Sequence, residues 1–287
     1  MNKQRIGQQV LHFPLTKIIL AITLLASAYA AARYWLGELF KQRFPDKEIN
    51  ELLVSLLSSA LVVLVYIFLF RLYERRKISE LSLEGFAGNL LKGLFLGALL
   101  QSLTILVIYL NKGYQVVAVN SFLYILPGLA LSFSSAIFEE ILMRGVLFRV
   151  MEEKLGSYIA LFLSAIIFGF LHLANENSSL SAAIGLAIQA GLLLAVAYIY
   201  ARNLWFPIAI HFAWNFMETG IYGATVSGNT IDKTLVTSNI RGAEWFTGGA
   251  FGPEGSLQAT VFCLAATVVL MALSIKQKKM IRPAWRK

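Results

Sequence analysis

Glu139 and Glu140 stand side by side after the 17 uncharged residues 122–138, and Arg144 lies four residues beyond the second of them. On a helix the two carboxylates point about 100° apart, whereas Glu140 and Arg144 share a face in the favourable acid-before-base order. The arginine can hold Glu140 ionised and in place. Glu139 has no such local partner, which suits a general base. A second group is Phe168-Gly169-Phe170-Leu171-His172, with His172 on the face of Phe168 and Gly169 permitting another helix or a substrate to come close. A third is His211-Phe212-Ala213-Trp214-Asn215. There His211, Asn215 and Glu218 fall on one helical face, and Pro207 begins or kinks the helix.

Each group has a plainer reading. The glutamates and Arg144 could be an interfacial charge cluster, His172 an interfacial histidine before Asn175-Glu176-Asn177, and His211 with Asn215 a hydrogen-bonding pair that glues helices together. Taken together they supply a base, electrophile-stabilising donors and a charge anchor, the parts of a hydrolase. Other nucleophiles are missing. No Gly-x-Ser-x-Gly or His-Glu-x-x-His occurs, and the aspartates, Asp46 and Asp232, fall in expected loops. The single cysteine, Cys263, excludes a disulfide framework and a Cys-based zinc site.

The elements that must position these residues are membrane helices. Hydrophobic residues make up 57% of 287, charged residues only 14%, and mean hydropathy is +0.67. A soluble domain carries about a quarter charged residues. Eight apolar segments reach bilayer-spanning length: 16–36, 49–70, 93–110, 122–148, 155–173, 180–200, 204–222 and 257–275. The runs are too long and too little alternating for strands. The expected fold is therefore an all-α polytopic membrane protein of about eight transmembrane helices, with an active site inside the bundle. The first span is expected to be retained, because 35–43 offers no small-residue cleavage site.

Eight spans place both ends on one side. That side then carries 18 of the 25 Lys and Arg, from Lys3, Arg5 and Lys17 to the 276–287 tail, against 7 on the other. The positive-inside rule puts both termini in the cytoplasm of a cell membrane, inner or plasma. The same split accounts for the net charge of +9 without a nucleic-acid partner. The chain divides into a cytoplasmic tail (1–15), three helices without motifs (16–121), a catalytic core (122–222), an external Gly-rich loop (223–256) and a last helix with a basic tail (257–287). The loop contains a turn-dense stretch from Gly248 to Gly255 and reads as a solvated connection, with a structured lid or plug as the alternative.

Glu139-Glu140-x-x-x-Arg144, Phe168-x-x-x-His172 and His211-x-x-x-Asn215, in that order on separate spans, resemble the motifs of the CPBP family. These are the CAAX proteases and bacteriocin-processing proteins, intramembrane endopeptidases. Gly252-Pro253-Glu254-Gly255 also resembles the loop of bacterial members. The resemblance implies that Glu139 and His172 activate a water, that His211 and Asn215 serve the oxyanion, and that Glu140 and Arg144 support them. It implies a peptide or membrane-protein substrate met in the lipid bilayer. The family is commonly labelled metalloprotease. A zinc held by Glu139, His172 and His211 would meet the three-ligand count of a catalytic site. No obligatory cofactor is expected, because Asn215 and a paired Glu140 suit an oxyanion hole and its support better than a ligand set. Intramembrane Glu, His and Arg also make proton relays, so a proton-coupled transporter is an alternative, and a non-catalytic chaperone or immunity factor is another.

Overall fold

The computed structural model describes residues 13–286. Among them six helices are long and apolar enough to cross a bilayer, and the chain is an all-α, multi-pass membrane protein. The first three are α1 (Pro14–Arg43), α2 (Lys47–Tyr73) and α3 (Phe86–Leu110). Next comes an unbroken 53-residue run, Phe122–Ala174. Within it Gly156 adopts φ +77°, ψ +167°, a conformation open to glycine and strained for other residues. The chain reverses there. The run thus holds α4 (Leu126–Glu140), a π-helical stretch Ile141–Phe148, and α5 (Arg149–Leu171), most of which returns antiparallel to α4. The expected spans 122–148 and 155–173 are the two arms of this hairpin. α6 (Leu180–Ala201) is π-helical over Ala187–Leu192. α7 (Trp205–Asn215) continues through π-helical Phe216–Ile221, and α8 is Leu257–Lys276.

The connections gather at two faces. At one, Lys17 near the start of α1 pairs with Glu74 after α2 at 2.7 Å, and Glu74 also meets Arg76 and Arg149. Asn203, after α6, donates to the Ser82 carbonyl, and the Ser157 amide donates to Ile281 in the tail after α8. This tail face therefore holds both ends of the described chain. Of the expected N-terminal tail, residues 1–12 lie outside the described residues, as does Lys287.

The opposite face differs from the sequence reading in two ways. A two-stranded antiparallel ribbon, unexpected from the patterning, joins β1 (Tyr114–Val119) to β2 (Val236–Ile240), with a register shift between Val116 and Ala118. Both strands are shorter than any span and pair residues more than a hundred positions apart, so local periodicity had no purchase on them. The loop 223–256 is also not a solvated connection. Ala224, Val226, Phe251, Pro253 and Glu254 are all buried.

The helices turn large apolar residues outward: Phe68, Phe95, Phe162 and Val268 are each at least 60% exposed. Inward they turn Ser55, Ser58, Ser59, Gln101, Thr104 and Ser132, all fully buried. Lipid tails are as apolar as leucine, so close packing and hydrogen bonds hold such a bundle together, not water exclusion between helices.

Candidate active site

Glu140 is the hub. It is fully buried, and its Oε1 accepts from Arg144 Nη1 at 2.7 Å and from His211 Nδ1 at 3.0 Å. The i,i+4 pairing read from the sequence is thus present. Arg144 has a second task that spacing could not announce. Its Nη2 donates to the carbonyls of Ala190 (2.7 Å) and Gly191 (3.3 Å), and its guanidinium lies 4.9 Å from the centre of the Phe168 ring. Those carbonyls sit in the π-helical part of α6, where the ordinary i to i+4 ladder is interrupted. The planar fork of one arginine therefore ties α4, α5, α6 and, through Glu140, α7 together.

Glu139 points elsewhere, as the 100° offset requires. Its Oε2 lies 3.9 Å from Nε2 of His172 and 3.9 Å from Nε2 of His211, and has no hydrogen-bond partner among the described residues. Both rings are oriented from behind. His172 Nδ1 donates to the Phe168 carbonyl at 2.9 Å, and His211 Nδ1 bonds Glu140. With the Nδ1 positions committed, both Nε2 atoms face the carboxylate. His172 reaches this point because α5 lies tight against α6: a Cβ on Gly169 would stand 2.4 Å from the Ala183 carbonyl oxygen. One turn beyond His211, Asn215 donates to Ser135 Oγ at 3.2 Å.

Glu139, Glu140, Arg144, His172, His211 and Asn215 thus converge. Glu218, expected on the face of His211 and Asn215, does not join them. The helix becomes π-helical at Phe216, which shifts the facing of later residues, and Glu218 Oε1 instead accepts from the Glu254 amide at 3.1 Å. Among the described residues no three His, Cys, Asp or Glu side chains are grouped as metal ligands. The 3.9 Å spacings around Glu139 are wider than the roughly 3.4 Å between tetrahedral zinc ligands at about 2.0–2.1 Å. To share a zinc, Glu139, His172 and His211 would have to draw together by about half an ångström.

The group opens into a cavity of about 380 Å³ inside the bundle. Its walls are largely apolar, with Leu131, Phe138, Leu142, Met143, Leu194 and Trp214 among them. Toward the loop face they turn polar, through Asn175, Ser227, Asn229 and Glu254. Here the loop folds over the cavity. Asn175 Nδ2 donates to the Ser227 carbonyl, the Gly228 amide donates to Phe251, and Phe251 packs in a buried cluster with Phe168 and Met143. Ser227 donates to Glu254 Oε1 through both its amide and its hydroxyl, each at 2.7 Å. Burial pushes the Glu254 carboxyl up from its usual range. Sequence reasoning missed Glu254 as a cavity residue. The available signal was a lone carboxylate inside an otherwise uncharged turn just before an apolar helix.

Residues 120–217 match the family model described as type II CAAX prenyl endopeptidase Rce1-like. The matched segment contains all six converging residues. No curated protein and no solved structure gives a significant match.

Proposed function

From this chain's membership of the CPBP family of CAAX-type intramembrane endopeptidases, carried by residues 120–217, we propose that it hydrolyses a peptide bond of a membrane-associated peptide or protein with a water activated by Glu139 and His172. The observation that carries this reading is the single Glu139 oxygen lying 3.9 Å from two imidazole Nε2 atoms at the wall of an apolar cavity. That spacing is too long for direct hydrogen bonds and leaves a common position for a small nucleophile.

In this mechanism Glu139 takes a proton from water while His172 Nε2 orients it. The resulting hydroxide adds to the scissile carbonyl carbon. The oxyanion that forms is met by the Nδ2 of Asn215 and the Nε2 of His211. To donate there His211 carries both ring protons, and Glu140 on Nδ1 offsets the charge. The tetrahedral intermediate then collapses, the C–N bond breaks, and the proton held by Glu139 passes to the leaving amine. Glu140 and Arg144 fix the geometry without touching substrate.

Glu139→Gln keeps the shape and removes the basicity, so turnover falls by about 10²–10⁴. Asn215→Ala removes one oxyanion donor and costs about 10²–10³. Substrate binding survives both changes, because these groups act on the transition state. Cleavage of a quenched membrane peptide by purified protein, with metal content measured alongside, is the test. Undiminished turnover by Glu139→Gln sinks the assignment. One tightly bound zinc per chain, lost in His172→Ala, replaces the metal-free chemistry with the zinc version at the same site.

The charge asymmetry supports a cell membrane, inner or plasma, with the tail face in the cytoplasm. The loop then covers the cavity from outside, and the substrate arrives from the cytoplasm or laterally from lipid.

A further inference from the structure

Two acceptor side chains, Glu254 and Gln189, stand at the loop end of the cavity. Glu254 is 3% exposed, and both of Ser227's donors go to its Oε1, so its other oxygen receives neither. Gln189, also 3% exposed and lining the same cavity, donates through Nε2 to Thr260 Oγ1 at 2.7 Å. Thr260 passes its own proton to the Ser256 carbonyl, which fixes the orientation of the Gln189 amide. The Gln189 Oε1 is therefore a buried acceptor, and it has no partner among the described residues. Thr260 stands in the first turn of α8, directly after the loop that carries Glu254, so Gln189 reaches toward the loop end of the chamber. Among the described residues no lysine or arginine lines the cavity, whose basic side chains are His172 and His211. Arg144 is engaged by Glu140 and two carbonyls.

Leaving buried acceptors unsatisfied is costly, and a carboxylate more so. The complementary group is one with several N–H donors and a positive charge. We infer that Glu254 and Gln189 form a substrate subsite for a cationic N–H donor, an ammonium or guanidinium carried beside the apolar residues that fill the rest of the chamber. The inference rests on the endopeptidase reading for the identity of the occupant. It makes Glu254 a specificity-determining residue supplied by the loop.

The test uses the full-length Glu139→Gln protein in detergent, which binds without turning over. The probes are short apolar peptides carrying one Lys scanned through the sequence, each matched with a norleucine twin, and each made with a free or acetylated N-terminus. At one position the Lys peptide is expected to bind about tenfold tighter than its twin. Adding Glu254→Gln should bring that ratio to near one while retaining an oxygen for Ser227's two donors. Gln189→Met, which leaves the loop untouched, should lower the ratio independently. A preference that follows the free N-terminus identifies the α-amine as the cation. Equal binding of Lys and norleucine peptides, or a ratio unchanged by Glu254→Gln in a protein of unchanged Tm, overturns the subsite. Wild-type cleavage of the same peptides is scored separately. Cleavage without a cation preference refutes the subsite alone, and binding with a preference but no cleavage refutes the endopeptidase reading alone.

Discussion

Arg144 is the residue whose role the geometry defines most narrowly. It is 2% exposed and divides its donors between a carboxylate and two backbone carbonyls on another helix. A lysine could keep the charge, but its ammonium cannot span both sets. Arg144→Lys is expected to cost about 1–3 kcal/mol of stability, for the acceptors left unpaired. It should lower turnover in parallel, read as Tm in detergent against cleavage rate. A variant of undiminished Tm and no turnover assigns Arg144 a direct chemical part. The local half of this arrangement was legible in the sequence, since i and i+4 residues on a helix must meet. The half reaching Ala190 was not, because it depends on a π-helical stretch that no motif marks. Glu218 shows the same limit from the other side. Regular helical spacing put it with His211 and Asn215, and a π-helical turn took it to Glu254.

Among the elements, α3 carries no motif yet sets the height of His211. It lies so close to α7 that a Cβ on Gly97 would stand 2.2 Å from the Ile210 carbonyl oxygen. That oxygen is backbone and cannot rotate away. Gly97→Ala must push α3 off α7, with the roughly 1–3 kcal/mol penalty of overpacking and a fall in turnover as His211 shifts. Gly88→Ala, on the same helix with nothing within 4 Å, is the control. It should leave Tm unchanged or raise it, since alanine gains about 0.5–1 kcal/mol over glycine in a helix. Equal Tm for the two variants would mean that the α3–α7 contact does not position the site. The existence of the membrane helices was readable from composition and run length. The β-ribbon and the packed loop were not, because their pairings are long in sequence and their glycines signal a turn without saying what it turns toward.

At the scale of the molecule, the two faces differ in charge and make a topological prediction. After Cys263→Ser, Lys77→Cys reports the tail face and Thr230→Cys the loop face, both at exposed positions. A membrane-impermeant maleimide added to intact cells should label Thr230→Cys alone. Labelling of Lys77→Cys alone inverts the orientation. That both described ends lie on one face followed from an even number of spans, and the Lys and Arg count adds the cytoplasmic side that this labelling checks. The meeting of Glu139 with both histidines did not, because it depends on the Gly156 reversal and on how deep each helix sits. The pairing of Glu140 with Arg144 bears as well on how such a chain gets into a bilayer at all. A lone carboxylate or guanidinium at mid-membrane costs about 2.5–3.5 kcal/mol on translocon insertion scales. One turn apart on the same helix, the two charges can neutralise each other during insertion, before any other segment is available to receive them. The pair then partitions as a nearly neutral unit, beside the one remaining carboxylate of Glu139, and stays together until α6 and α7 share it.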